Sequence, residues 1–329
     1  VLKDDAGLAL GILADILQNS LFAEEEIERE REVVQQEIAG ISDSPEELGY
    51  DYLQEVAFPH QAVGRSVIGT RQSVAKIDGP GLKDFLERRY TAPGMVLAAA
   101  GAVEHQQLVR HAEALFNRLN SGEIRQAEPA SYVGGVKSSD RTFEQCHLLL
   151  GFDSPSYRDE DYFTAQVFSG ILGGGMSSRL FQEVREKRGL CYAVYSSAWG
   201  LVDGGLFTIH AATGSEQIPA LSEVVSGELG RLCETPVSAR EIGRAKAQLK
   251  AGLMMGLESS SARAEQMARH LMGHGRIIPA SELIDRMEAV SSEGLRQFAV
   301  RLVEQEQPAV AVVGAGSSSQ RLADDAQRF

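Results

Sequence analysis

Apolar residues recur with a helical period from the first residues of the chain. Leu8, Ile12, Ile16 and Leu17 fall on one side of a 3.6-residue repeat, which predicts an amphipathic helix. The first residue is Val1 rather than Met, so we expect the sequence to begin inside a domain.

The second half of the chain carries a different pattern, in which β-branched and aromatic residues alternate with other residues. This alternation predicts strands at His147 to Phe152, Tyr192 to Trp199 and Gly205 to Ala211. Helical periods fill most of the remaining sequence. The mixture predicts an α+β fold in which helices cover sheets.

The sequence also repeats itself at an offset of about 213 residues. Three pairs of segments match: Leu82 to Phe85 with Leu295 to Phe298, Val96 to Ala102 with Ala309 to Ala315, and, at an offset of 215, Glu26 to Arg29 with Glu241 to Arg244. The second pair predicts a buried strand that ends in Gly-Ala. Chance similarity between simple helical patterns is the alternative, but the conserved order favours two homologous domains.

A stretch rich in Ser, Gly and Pro, Asn120 to Asp140, separates the two copies. We therefore predict two layered domains, each a mixed or antiparallel sheet covered by helices: residues 1–125, a linker at 126–140, and residues 141–329. The second copy has about 100 residues before Glu241, whereas the first has 25 before Glu26. The first domain is therefore expected to be incomplete, with about 75 of its residues ahead of Val1.

Composition narrows the classes of function. The 329 residues include 32 Lys and Arg against 46 Asp and Glu, a net charge of -14, so a nucleic-acid partner is not expected. No apolar run approaches the ~20 residues of a membrane span. Three widely spaced cysteines, Cys146, Cys191 and Cys233, predict neither a disulfide framework nor a metal knuckle, and they favour a reducing compartment.

Two acids interrupt an otherwise apolar helix face. Ile27, Glu30, Val34, Glu37 and Ile41 share one face of the helix predicted over residues 24–41. Unpaired carboxylates in an apolar interface cost several kcal/mol each. Either a divalent cation or a catalytic role compensates them, or they reach water or an arginine.

A second pair of acids follows. Ser44 and Pro45 have the character of an N-cap and a first helical residue, and Glu47 that of a capping-box acid. Asp51 lies four residues after Glu47, so both charges face one side of a helix. A guanidinium group from a substrate would fit this pair.

These segments resemble one family, the pitrilysin or M16 zinc peptidases, and especially the β subunit of the mitochondrial processing peptidase and its bacterial relatives. The resemblance runs along essentially the whole chain. It rests on Ile27 to Ile38, Ala57 to His60, Gly64 to Thr70, Tyr90 to Met95 and Ala100 to Ala102.

The resemblance implies a role for each candidate residue. Glu37 matches the third zinc ligand and Glu30 the supporting acid of the catalytic site, while Glu47 and Asp51 match the pair that holds a substrate arginine. Arg185 and Tyr192 match an Arg and a Tyr that reach the substrate backbone, and their cation and hydroxyl suit a developing oxyanion. Residues 1–125 would then be the C-terminal portion of a catalytic-type domain.

The family's inverted His-x-x-Glu-His motif, with two zinc ligands and the general base, does not occur in this sequence. As printed, the chain is therefore expected to be inactive, and the motif is expected in the residues ahead of Val1. At the offset of 215, Gly252 stands where Glu37 stands in the first copy. Residues 141–329 are therefore expected to bind no metal and to support the substrate.

The resemblance thus implies a Zn²⁺-dependent metalloendopeptidase that cleaves Arg-containing peptides or presequences in an enclosed chamber. It also implies assembly as a homodimer or heterodimer. A non-catalytic partner or core subunit of a paired peptidase or respiratory complex is the alternative. The bacterial cytoplasm, or else the mitochondrial matrix, is the expected compartment. His270 and His274, four apart without an acid between them, and the loop after Gly173 are not expected to be metal or nucleotide sites.

Overall fold

The computed structural model describes residues 1–124, 127–305 and 307–328. The regular elements of these residues are, in chain order, α1 (Ala6–Asn19), α2 (Glu24–Asp43), α3 (Pro45–Ala57), α4 (Arg71–Val74), α5 (Gly79–Arg89), α6 (His105–Leu115), β1 (Gly135–Asp153), α7 (Tyr162–Gly173), β2 (Ala193–Gly200), β3 (Gly205–Thr213), α8 (Ile218–Glu234), α9 (Ala239–Gly256), α10 (Ser260–His274), α11 (Ala280–Ala289), α12 (Ser292–Val303), β4 (Ala309–Ala315) and α13 (Ser319–Ala326). A π-helical turn, Phe181–Glu186, precedes β2.

The chain forms two compact units, and neither is one continuous segment. Unit 1 consists of Val1–Ile38, Ile68–Ala127 and Met254–Ile278; unit 2 consists of Ala39–Val67, Glu128–Leu253 and Pro279–Phe329. Helix α3, which belongs to the first sequence copy, therefore lies in unit 2, and helix α10 of the second copy lies in unit 1. Local sequence patterns do not reveal this exchange, because each helix has the same period in either location.

The sheet lies in unit 2 and has the strand order β2-β3-β1-β4. Strand β3 is antiparallel to both β1 and β2. Strand β4 pairs with two stretches of β1: Gly135 to Ser139 run parallel to it, and His147 to Gly151 pair with the same residues in reverse order. The sheet is therefore mixed, and all nine residues of the central strand β3 are buried.

Helices cover both faces of this sheet. On one face Leu53 and Ala57 of α3 pack against Leu149 and Leu206. On the other, Phe168 of α7, Phe207 of β3 and Phe298 of α12 form an aromatic cluster with centroid separations of 5.0–5.7 Å. The predicted α+β layered fold is confirmed, and all three predicted strands in the second half are found.

The helix caps support the internal repeat. Ser44 and Ser259, 215 residues apart, cap α3 and α10, and each accepts a hydrogen bond from the backbone N–H three residues on. Asp78 and Ser291, 213 residues apart, cap α5 and α12 in the same way. The two sequence copies therefore start equivalent helices at equivalent residues.

Unit 1 differs from the predicted pattern in two places. Residues 95–100 form no strand, and Val96 and Leu97 remain partly exposed, whereas the matching residues of β4 are fully buried. Helix α1 forms as predicted, but it buries Leu10 and Ala14 and leaves Leu8 largely exposed. In both places the cause is the same: within the described part of unit 1, no strand or helix covers these apolar residues.

The predicted linker, residues 126–140, also differs in part. Gly135 to Asp140 belong to strand β1, because Gly135 to Ser139 pair with β4, a partner distant in sequence. The predicted boundary at residues 125 and 126 lies outside the described residues, as does the final residue, 329. No single helix in the described part of the chain has both the length and the hydropathy of a membrane span; the segments Lys3–Asn19 and Glu24–Asp43 meet that criterion only as a pair, bent by 100°.

The end of β4 depends on a glycine. Gly314 has φ +110°, a conformation that side-chain-bearing residues rarely adopt, and its repeat counterpart Gly101 has φ +112°. A Cβ on Gly314 would lie 2.4 Å from the carbonyl oxygen of Gln145. Any side chain at this position would therefore push the end of β4 away from β1.

We expect Gly314→Ala to lower the free energy of unfolding of unit 2 by about 2–5 kcal/mol, through backbone strain and the clash with Gln145. Gly227→Ala is the control: Gly227 is exposed within α8 with open space around its Cβ position, so this change should stabilise by roughly 0.5–1 kcal/mol. Urea unfolding followed by the fluorescence of Trp199, the chain's single tryptophan, measures both. Equal effects of the two substitutions would contradict the role of Gly314.

Candidate functional site

Helix α2 carries Glu30 and Glu37 on its surface. Ile27 is buried on the same helix, but both carboxylates are exposed, so of the two alternatives left open by the sequence the acids follow the one in which they reach water. Two neighbours on α2, Glu26 and Glu28, form ion pairs with Arg29 and Arg31. Glu30 and Glu37 have no such partner among the described residues, so both carboxylates are available to bind a cation.

A cavity of about 610 Å³ lies beside Glu30 in unit 1. Its lining is mostly apolar and includes Phe22, Ile27 and Val34. The Arg31 guanidinium also lines it and donates to the carbonyl oxygen of Ile77 at 2.8 Å, which joins α2 to the segment after α4. Glu30 is thus an acid at the edge of an apolar cavity.

Helix α3 carries Glu47 and Asp51, four residues apart in its first two turns. The Ser44 hydroxyl accepts from the Glu47 backbone N–H at 3.5 Å, so the predicted N-cap is confirmed. The Ser44 backbone N–H donates instead to the carbonyl oxygen of Ile41 at 3.1 Å. The Glu47 carboxylate is therefore not used in a capping box, and neither acid has a hydrogen-bond or ion-pair partner among the described residues.

Arg185 and Tyr192 are brought together within unit 2. The Arg185 guanidinium carbon lies 5.5 Å from the centre of the Tyr192 ring and 4.9 Å from that of Phe181. The adjacent cations Lys187 and Arg188 both pair with Glu183, which leaves Arg185 without a carboxylate partner among the described residues. Tyr192 is 70% exposed, so a cation and a hydroxyl face the surface side by side.

Unit 2 also contains a polar cluster that the sequence did not reveal. Glu46 of α3, His147 of β1 and His210 of β3 each offer a ligand atom, and these atoms lie within 4.8 Å of one another. Within residues 1–124, 127–305 and 307–328 no other group of three His, Cys, Asp or Glu side chains meets this criterion. The sequence predicts the two strands that contain these histidines. It does not predict the strand pairing that brings them side by side.

Hydrogen bonds connect this cluster to two tyrosines. His147 Nδ1 and His210 Nε2 lie 2.9 Å apart. The Tyr195 hydroxyl donates to Glu46 Oε1 at 2.5 Å, and the Tyr50 hydroxyl donates to that of Tyr195 at 3.1 Å. Burial lowers the pKa of His210 to about 4 and also lowers the pKa of His147, so both imidazoles are neutral at pH 7.

Comparisons with known proteins decide the family. Residues 1–71 match the model of the insulinase family, peptidase family M16, and residues 76–249 match that of the peptidase M16 inactive domain. An uncharacterized zinc protease of Rickettsia bellii is 36% identical over 303 residues, which are 92% of this chain and 73% of that protein. The chain belongs to the M16 peptidase family.

Two solved structures have a fold similar to that of this chain. A chain of complex III2 from Candida albicans matches with a TM-score of 0.84 at 18% identity, over 99% of this chain and 81% of that one. A protease from Helicobacter pylori matches with a TM-score of 0.81 at 19% identity, over 94% and 76%. At these identities the likeness establishes the fold alone.

The His270 and His274 pair lies on helix α10, in unit 1. Their ring centres lie 6.0 Å apart, and His270 Nδ1 accepts a hydrogen bond from the backbone N–H of Ile278 at 3.2 Å. This hydrogen bond joins His270 of α10 to the segment that follows the helix. The Gly173 loop follows helix α7 rather than a strand, which is not the geometry of a phosphate-binding loop.

In this M16 chain we expect Tyr195→Phe to reduce the free energy of unfolding of unit 2 by about 1–3 kcal/mol, because the half-buried Glu46 carboxylate loses its hydroxyl donor. Tyr192→Phe removes an exposed hydroxyl and should change it by less than about 0.5 kcal/mol. Urea unfolding monitored by Trp199 fluorescence compares the two. A Tyr195→Phe protein as stable as the Tyr192→Phe protein would show that this hydrogen bond does not stabilise the fold.

Proposed function

We propose that this chain is part of a zinc-dependent metalloendopeptidase of the processing-peptidase type, which cleaves peptides or presequences in an enclosed chamber. One observation carries the proposal. Glu30, Glu37, Glu47 and Asp51 have no partner among the described residues, although neighbouring acids on α2 are paired with arginines. A chain with a purely structural role has no need for four unpaired acids at these positions.

The zinc ligands present in this chain form an incomplete set. Glu37 offers one carboxylate oxygen, an ordinary zinc ligand, but a catalytic zinc site needs three protein ligands. We propose that an inverted His-x-x-Glu-His segment, absent from the printed sequence, supplies the two histidines and the general base. Zinc bound there would polarise the scissile carbonyl and lower the pKa of a bound water.

The remaining candidate residues would bind the peptide. Glu47 and Asp51 together present two carboxylates, which match the charge and the several N–H donors of a substrate arginine. Arg185 and Tyr192 offer a fixed cation and a hydroxyl donor, and these suit a peptide carbonyl oxygen on which negative charge develops. What supports this pair is the 5.5 Å separation of the Arg185 guanidinium from the Tyr192 ring.

A non-catalytic role as a partner or core subunit is the second candidate. It is favoured by the fold shared with a chain of the Candida albicans complex III2. The unpaired acids on α2 and α3 favour the peptidase, because a core subunit would not require a zinc ligand at Glu37. The name zinc protease, borne by the Rickettsia bellii relative, agrees with this preference.

We further propose an Arg-containing peptide as substrate and assembly as a homodimer or heterodimer. Net charge -14 favours basic peptides over nucleic acid as the bound partner. The bacterial cytoplasm is the proposed compartment, with the mitochondrial matrix as the alternative. Three free cysteines and a bacterial relative support a reducing bacterial compartment.

In the natural polypeptide that contains this chain together with a His-x-x-Glu-His segment, Glu37→Gln should abolish both zinc retention and peptide cleavage. Metal analysis after dialysis and a fluorogenic peptide assay measure the two. Glu32→Gln, at an exposed position on the same helix, is the matched control and should leave both unchanged. Retained zinc with normal turnover in the Glu37→Gln protein, or a natural polypeptide without the motif, would refute the proposal.

In the same polypeptide, the double change Glu47→Gln and Asp51→Asn should lower kcat/KM for an Arg-containing peptide by about 10- to 100-fold, since hydrogen bonds to a charged group contribute about 1.5–3 kcal/mol. An Arg-free peptide should lose much less. Glu55→Gln, further along α3, controls for removal of a charge from this helix. Equal losses on both peptides would mean that the two acids do not recognise arginine.

A further inference from the structure

Three different elements of unit 2 contribute to the cluster of Glu46, His147 and His210. Glu46 lies in the first turn of α3, His147 in β1 and His210 in the central strand β3. The strand pairing sets His210 opposite Leu149, so the two histidines are diagonal neighbours on the sheet face that α3 covers. The cluster therefore forms only when α3 is packed on the sheet.

The donor atoms of the cluster suit a transition-metal ion. Two imidazole nitrogens and a carboxylate oxygen are ligands that Zn²⁺ commonly uses, and three protein ligands leave a fourth position for water. The ligand atoms lie within 4.8 Å of one another, so small side-chain adjustments can bring each of them to about 2.0–2.2 Å from one ion. Imidazole binds a metal ion through the lone pair of a neutral ring nitrogen.

The hydrogen bond between the two rings shows which nitrogens face each other. His147 Nδ1 and His210 Nε2 lie 2.9 Å apart, with one proton between them. An ion bound by these two nitrogens would take the place of this hydrogen bond, and the proton would move to the far nitrogen of its ring.

The surroundings of Glu46 resemble the outer shell of a metal site. Its Oε1 atom accepts from the Tyr195 hydroxyl, which in turn accepts from Tyr50. Such hydrogen bonds hold a ligating carboxylate in a fixed orientation. Tyr50 also stacks on Trp199, with ring centres 5.7 Å apart, so the outer partners are themselves held in place.

We propose that Glu46, His147 and His210 bind one divalent transition-metal ion, with Zn²⁺ as the preferred ion, at a site whose ligands do not include Glu37. The ion would link the first turn of α3 to two strands of the sheet. Because Glu47 follows Glu46 directly, this link would also fix the turn that carries Glu47. The inference concerns metal binding by this chain and does not depend on the proposed peptidase activity.

Metal titration of the 329-residue chain tests the site. After chelator treatment, the protein is titrated with Co²⁺, whose visible absorption intensifies in four-coordinate sites, and then with Zn²⁺ in competition. We expect one Co²⁺ per chain and its displacement by Zn²⁺. Glu46→Gln keeps the side-chain shape and an oxygen for Tyr195 but removes the anionic ligand, and it should weaken Co²⁺ binding at least about tenfold.

Two matched controls locate the site. Glu47→Gln removes the next carboxylate of α3, and Glu37→Gln removes the proposed zinc ligand on α2; both should leave Co²⁺ affinity unchanged. Circular dichroism of the metal-free proteins checks that the variants are folded, and His147→Gln replaces Glu46→Gln if that protein does not fold. Absence of four-coordinate Co²⁺ binding in the unmodified chain, or equal affinity in the Glu46→Gln and Glu47→Gln proteins, would overturn the proposal.

Discussion

The pairing of strand β1 with both β3 and β4 is the interaction on which unit 2 depends. One part of β1, from Cys146 to Asp153, pairs with β3 on one side and, from His147 to Gly151, with β4 on the other. Its partners β3 and β4 come from distant parts of the sequence. Backbone hydrogen bonds between these distant segments, rather than contacts between neighbours in sequence, therefore hold the sheet together. Both helical layers then pack on the surface that these strands create.

The fold was predictable from the sequence wherever the signal is local. Helix α2, the cap at Ser44 and the strands around His147 and His210 follow from residue period and capping chemistry, and the structure contains all of them. The repeat was predictable for the same reason, since equivalent residues start equivalent helices. Neither kind of signal depends on what lies far away along the chain.

The features that were missed depend on distant partners. Residues 95–100 have the composition of a strand, yet a strand requires a neighbour to accept its hydrogen bonds, and the described part of unit 1 offers none. Gly135 to Asp140 have the composition of a linker but become a strand because β4 lies beside them. The exchange of α3 and α10 between the units is of the same kind.

Helix α3 shows why the candidate residues differ in how well the sequence reveals them. Glu46, Tyr50, Leu53 and Ala57 recur at helical spacing, and the last two pack on the sheet while the first two bond to its polar side chains. Glu47 and Asp51 share the neighbouring side of the helix, where no group among the described residues binds them. An unpaired acid pair can be recognised from spacing and family resemblance, whereas Glu46 becomes a candidate ligand only once β1 and β3 bring His147 and His210 to the same face. One helix therefore combines an acid pair that is predictable from local spacing with a cluster of side chains that exists only through tertiary packing.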